Sequence, residues 1–213
     1  MRGIPQIINN KQHTTMQEEK KYQLTDETRN YYGKTLYRIQ AIKDFGDVKA
    51  GDKGGWVESE RNLSQQGNCW IYDDSIAFGH PHVRENAKIM NSSKVCDFAC
   101  IGGNAVIDRK SLIGGEVFIK DAKVINLEIL KCTQIIGDFE IKSPRDFYDF
   151  NLWFPYGEDI TYIPNHNKFF YCGQTYTKEE LAKHERFAGK NTIILGLLNK
   201  IIDLCNYYKE AYL

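Results

Sequence analysis

From Asn68 to Ile141 the chain sets one aliphatic side chain at nearly every sixth position. These residues are Ile71, Ala77, Val83, Ile89, Val95, Ile101, Ile107, Ile113, Ile119 and Val124, followed by Leu130, Ile135 and Ile141. The spacing matches neither the 3.6-residue period of an amphipathic helix nor the two-residue alternation of a strand. It matches a chain wound into a solenoid, in which short strands stack and each unit buries one aliphatic. Two places earlier the residue is small in Cys69, Ser75, Ala87, Ser93, Ala99, Ala105 and Ser111, with Pro81 in the same series, and this suits a tight corner. Two units, ending at Lys120 and Lys131, have five residues instead of six and predict distorted corners.

The flanks follow other patterns. Residues 1–21 are polar and aperiodic, so a flexible arm is expected there. Residues 22–64 are strand-like, with a turn expected around Asp26 to Gly33 and a glycine-rich passage before Trp56 and Val57. Such a small β module would cover the open end of the solenoid. After the repeat, residues 143–213 predict a cap: a hairpin around Asn165 to Asn167, a Thr177–Glu180 capping box starting a helix to about Phe187, and a second helix over 191–212. The solenoid proper is then expected over 65–142, giving a mainly β chain with a C-terminal α/β cap.

The units NCWIYD, DSIAFG and NAKIMN resemble the hexapeptide repeat of left-handed parallel β-helices. That resemblance implies three units to a triangular turn, hence about four coils, and a trimer as the favoured oligomer. A second resemblance rests on TLYRIQAIKDFGDVKAGDKGGWVESERNLSQQGNCWIYDD and, in the tail, on FYCGQTYTKEEL. These stretches resemble phage and prophage accessory proteins that go by names such as hypothetical or polymer-forming protein. This implies a small viral accessory protein.

Lys plus Arg and Asp plus Glu are each 28, so the chain lacks the overall positive field of a general nucleic-acid binder. The six cysteines form no CxxC pairs, which points to reduced thiols in a cytoplasmic protein, and the phage resemblance implies the cytoplasm of a bacterial host cell. The longest apolar run, Thr192 to Leu204, is interrupted by Gly196, Asn199, Lys200 and Asp203, so neither a membrane span nor a signal peptide is expected.

Many hexapeptide-repeat proteins are acyltransferases, and the resemblance implies a histidine at a subunit interface as general base. His82, at an outward place, is the match, with His80 at the preceding corner. A zinc site would need a third histidine in the coils, so no metal is expected, and no cofactor. Cys100 should lie directly above His82, with Phe118 next on that column, leaving no carboxylate to complete a thiol–imidazole pair. The outward apolar residues Trp70, Ile76, Leu112 and Phe118 predict contact with another subunit or with the cap. Trp56, Trp153, Phe154, Tyr156 and Tyr162, in the irregular ends, are the candidate binding aromatics. Together these features predict a non-catalytic oligomeric scaffold of phage type. It would antagonise a bacterial defence system, such as CRISPR-Cas or nucleotide signalling, by binding a host protein or sequestering a small nucleotide ligand. The alternative is a hexapeptide-repeat acyltransferase using His82.

Overall fold

A computed structural model describes residues 19–130, 133–143, 146–152, 158–172, 174–187 and 189–211. The repeat forms a parallel β-solenoid whose three faces are parallel sheets. One face stacks Val57, Ala77, Val95, Ile113 and Ile129 in register, the second Leu63, Val83, Ile101, Ile119 and Ile135, and the third Ile71, Ile89, Ile107, Val124 and Ile141. All fifteen point inward and are at most 2% exposed. Five rungs per face make about five turns, where the repeat alone predicts about four. The first turn begins at Val57 and Leu63, before the regular spacing sets in.

The corners have their own chemistry. Asp73, Gly79, Glu85, Asn91, Asp97, Gly103, Arg109, Gly115 and Asp121 recur every six residues and all have positive φ. Glycine reaches this left-handed region freely, and Asn and Asp more readily than other residues, so the sixth place is rich in these types. Carboxylates there hold the backbone of the next turn: Glu85 accepts from the Gly103 amide at 2.5 Å and Asp97 from the Gly115 amide at 2.8 Å. One corner also carries a side-chain ladder. Asn68 donates to Asn86, Asn86 to Asn104, and Asn104 to Asp121, at 3.3, 3.1 and 3.2 Å. The small second-place residues Ala87, Ala99, Ala105, Ser75, Ser93 and Ser111 are fully buried where the chain turns.

The two five-residue steps fall at Ile119 to Val124 and Val124 to Ile129. Ile129, not Leu130, is therefore the inward residue, and Leu130 is 49% exposed. Both are aliphatic, so spacing alone placed the unit one residue late.

The N-terminal module is built into the solenoid. Strands β1 (Tyr22–Tyr31) and β2 (Lys34–Ala41) form an antiparallel hairpin, and β2 pairs with β3 (Lys53–Val57), the first rung of one face. The hairpin thereby covers an edge that would otherwise present unpaired backbone groups. Of the turn expected around Asp26 to Gly33, the start is a strand irregularity between Leu24 and Thr28, and the reversal lies at its far end, at Tyr32 and Gly33, both with positive φ. Lys21, at the end of the expected flexible arm, is 1% exposed.

At the other end, strands Tyr148–Leu152, Glu158–Ile163, Lys168–Tyr171 and Gln174–Tyr176 form an antiparallel sheet. Ile163 and Phe170 join the solenoid core, while Ile160, Tyr162, Phe169 and Tyr171 face helices α1 (Lys178–Ala182) and α2 (Asn191–Ala211). The capping box is present, with Thr177 Oγ1 accepting from the Glu180 amide and the Thr177 amide donating to Glu180 Oε2. The helix it starts ends at Ala182, and a short 3-10 turn, Glu185–Phe187, follows. Among the described residues no helix is long and apolar enough to cross a membrane.

Candidate functional site

His82 lies on the strand His82–Val83 of the second face, pointing away from the core with an exposed side chain. Its register partner on the next rung is Cys100, and Phe118 stands opposite Cys100 on the rung after, so the expected column is present. Successive rungs are separated by about 4.8 Å. No carboxylate stands in this column. Burial pushes the Cys100 thiol above its ordinary range, and the neighbouring Arg84 guanidinium offsets this only in part. A protonated thiol is a weak nucleophile, so the arrangement does not make a thiol–imidazole pair.

What makes the surroundings of His82 concave is the first turn. Between Leu63 and Ile71 the step is eight residues rather than six, and the 3-10 turn Glu60–Asn62 precedes it. The extra length lets Ser64, Gln65 and Gln66 form a wall beside the second face. A cleft of about 660 Å³ results, lined also by Arg61, His82, Arg84 and Cys100. A second cleft of about 370 Å³, toward Glu58 and His80, shares Arg61 and His82 with the first. His82 thus stands between two hollows. Gly67 permits the wall: its φ is +67°, and a Cβ there would stand 2.3 Å from the Glu85 carbonyl oxygen.

The first cleft is cationic. Arg84, two places after His82 on the same outward face, lies over Gly102, where the absence of a side chain leaves it room, and reaches toward the Phe118 ring at 5.9 Å. Glu85 is the carboxylate nearest to Arg84, at 3.9 Å, and it is also engaged by the Gly103 amide and by Lys120 at 4.0 Å. Glu60 is held at 2.8 and 3.0 Å by the Lys20 ammonium. Among the described residues Arg61 has no ion-pair partner. In the second cleft, burial raises the Glu58 pKa, but the Lys34 ammonium and the Gly79 amide outweigh it and hold the carboxyl below its usual range. The His82 imidazole makes no hydrogen bond among the described residues. His80 stacks on Phe98 with ring centroids 5.2 Å apart.

The other sites expected from sequence are not brought together. Trp56 is 6% exposed, with the guanidinium groups of Arg29 and Arg38 over its ring, their centres 4.4 and 5.1 Å from the centroid. Tyr162 is 2% exposed in the core of the cap. Both side chains are buried within the folded chain. Trp153, Phe154 and Tyr156 lie outside the described residues. Trp70 and Ile76 are covered by this chain's own residues. Trp70 packs edge-on against Tyr22 and Phe45, and Ile76 clusters with Leu36 and Trp56. Leu112 and Phe118 are half-buried. No group of three or more His, Cys, Asp or Glu among the described residues is arranged to hold a metal ion.

Sequence reasoning missed the wall of the cleft. Its signal was the eight-residue gap before Ile71, which stands out once Val57 and Leu63 are recognised as inward residues.

No protein-family model matches the chain. It is similar to the "Uncharacterized acetyltransferase YdcK" of Escherichia coli (strain K12), with 37% identity over 105 residues, 45% of this chain and 32% of that protein. The chain spans about a third of that relative's length. This likeness is to a bacterial protein bearing the name of an enzyme, not to a phage protein. It overturns the expected phage kinship, and with it the expectation of a non-catalytic scaffold that antagonises host defence.

Proposed function

We propose that this chain is an acyltransferase of the hexapeptide-repeat type, with His82 as general base and an acyl-CoA thioester as donor. The observation that carries the reading is the similarity to an acetyltransferase in a chain whose solenoid presents an exposed histidine beside a cleft. In this reaction the imidazole takes the proton of an acceptor hydroxyl or amine as that group attacks the thioester carbonyl. The tetrahedral intermediate then collapses, and the departing thiolate takes the proton back from the imidazolium.

The active unit is an oligomer, a trimer if the hexapeptide resemblance extends to assembly. Two features support this. Among the described residues no hydrogen bond orients His82, and the half-buried Leu112 and Phe118 face outward from the solenoid. A neighbouring subunit would supply a second wall and a partner for the free ring nitrogen.

Incubation with acetyl-CoA and a panel of small amines and alcohols tests the reading through release of the CoA thiol. Release should fall by about 10²-fold or more in His82→Asn, the usual scale for a lost general base. A protein that releases no thiol with any acceptor, or an unimpaired His82→Asn variant, would overturn it.

A further inference from the structure

The geometry points to an anionic acceptor: we propose that Arg61 and Arg84 bind a carboxylate or phosphate group on the molecule whose nucleophile His82 deprotonates. The inference rests on the acyltransferase reading for its functional sense, but its physical basis is the charge of the cleft. Arg61 has no carboxylate partner among the described residues. Among the described residues Arg84 has one carboxylate partner, Glu85, which is shared with Lys120 and with the Gly103 amide, so that charge is already divided three ways. Glu60, which lines the cleft, is neutralised by Lys20. A hollow with this excess of guanidinium attracts an anion, and guanidinium's planar fork binds oxyanions in two-point fashion.

Distance assigns the anion to the acceptor rather than to the donor. Arg84 follows His82 by two residues, just past the strand His82–Val83, so their Cα atoms are about 7 Å apart. In an acyl-CoA the diphosphate is separated from the thioester by an arm of about twelve bonds. Fully extended, that equals four residues of peptide, roughly 14 Å. With the thioester carbonyl at His82, the donor's phosphates would lie well beyond Arg84. A group of the acceptor itself, a few bonds from its hydroxyl or amine, falls at the right range.

The test needs no turnover. The imidazole carbon–proton resonance of His82, identified by its loss in His82→Asn, is followed while inorganic phosphate or acetate is added at constant ionic strength to protein without acetyl-CoA. A saturable shift with either anion is expected, while His166 and His184, in the cap, stay in place. The anion giving the tighter response tells whether the acceptor carries a phosphate or a carboxylate. Arg84→Gln should weaken the response at least tenfold, and the Arg61→Gln, Arg84→Gln double variant should abolish it. If neither anion moves His82, if chloride moves it equally, or if the double variant responds like the parent, the proposal is wrong. Failure of acetyl transfer and failure of anion binding are thus read in separate experiments.

Discussion

His82 and Cys100 stand opposite one another on adjacent rungs of one sheet, the imidazole exposed and the thiol partly covered beside Arg84. The pair looks like a nucleophile and its base, but the electrostatics run the other way. Burial keeps the thiol protonated, so it should take no part in the reaction. Cys100→Ser is expected to retain thiol release from acetyl-CoA within a few-fold of the parent. Alkylation of Cys100 by iodoacetamide should be slow at neutral pH and accelerate only in alkali. A Cys100→Ser variant as inactive as His82→Asn would restore the thiol as nucleophile.

The inward column should carry the stability of the prism. Ile107 is fully buried between Ile89 and Val124 on the neighbouring rungs. Ile107→Val removes one methylene and should cost about 1 kcal/mol. Ile107→Asp would bury an unpaired carboxylate in a space too narrow for water and should leave the protein unfolded or insoluble. Thermal melting of the two variants checks the register.

Two glycines separate conformational strain from steric contact. Gly33 has φ +78° with nothing near its missing side chain, whereas Gly67, at +67°, would drive a Cβ to 2.3 Å from a backbone oxygen. Gly33→Ala should cost about 1 kcal/mol, the strain of a left-handed residue alone. Gly67→Ala should cost clearly more, and should also deform the cleft wall. Denaturant titration of both would show a difference in midpoint, and equal midpoints would mean that the wall yields freely.

The core register of this protein was written in its sequence more plainly than its boundaries. A six-residue aliphatic period leaves no other fold, and the column from His82 to Phe118 follows from it by counting. The first turn was hidden because Val57 and Leu63 are separated from Ile71 by the cleft wall, which breaks the count. Ile129 was displaced to Leu130 because two aliphatics side by side offer no hydropathy contrast, and only the corner geometry chooses between them. Trp56 lies beneath Arg29 and Arg38, which reach it from two other strands, and no local pattern announces such contacts.

Alkali should unfold the protein through its buried thiols. In the unfolded chain a cysteine loses its proton near its ordinary value of 9.0, while burial holds Cys205 protonated to about 11 and Cys96 to about 12. Between those values the unfolded state binds fewer protons, so stability falls as pH rises; below pH 9 both states are protonated and the contribution is complete. The melting temperature should be flat up to about pH 9 in this respect and decline above it, and Cys96→Ala should make the decline shallower. An unchanged slope in that variant would place the alkaline sensitivity elsewhere.

Assembly is checked by mass. If Leu112 and Phe118 lie between subunits, changing both to Lys should reduce the particle measured by light scattering to one chain while the β-rich circular dichroism persists. A parent that is already a monomer would leave the orientation of His82 to the chain's own residues.

The corner ladder from Asn68 to Asp121 has a direction. An asparagine amide can give and receive a hydrogen bond, whereas an ionised aspartate can only receive. Each of Asn68, Asn86 and Asn104 hands a donor to the next turn, and the series closes on a carboxylate with nothing to hand on. Duplicating an asparagine-headed turn ahead of Asp121 would lengthen the prism with every new rung matched at both ends. A copy placed beyond Asp121 would meet only an acceptor, so its asparagine would have to turn its amide round and donate back to the carboxylate. Lengthening the solenoid by duplication would therefore keep the ladder's direction on one side of a single residue and reverse it on the other.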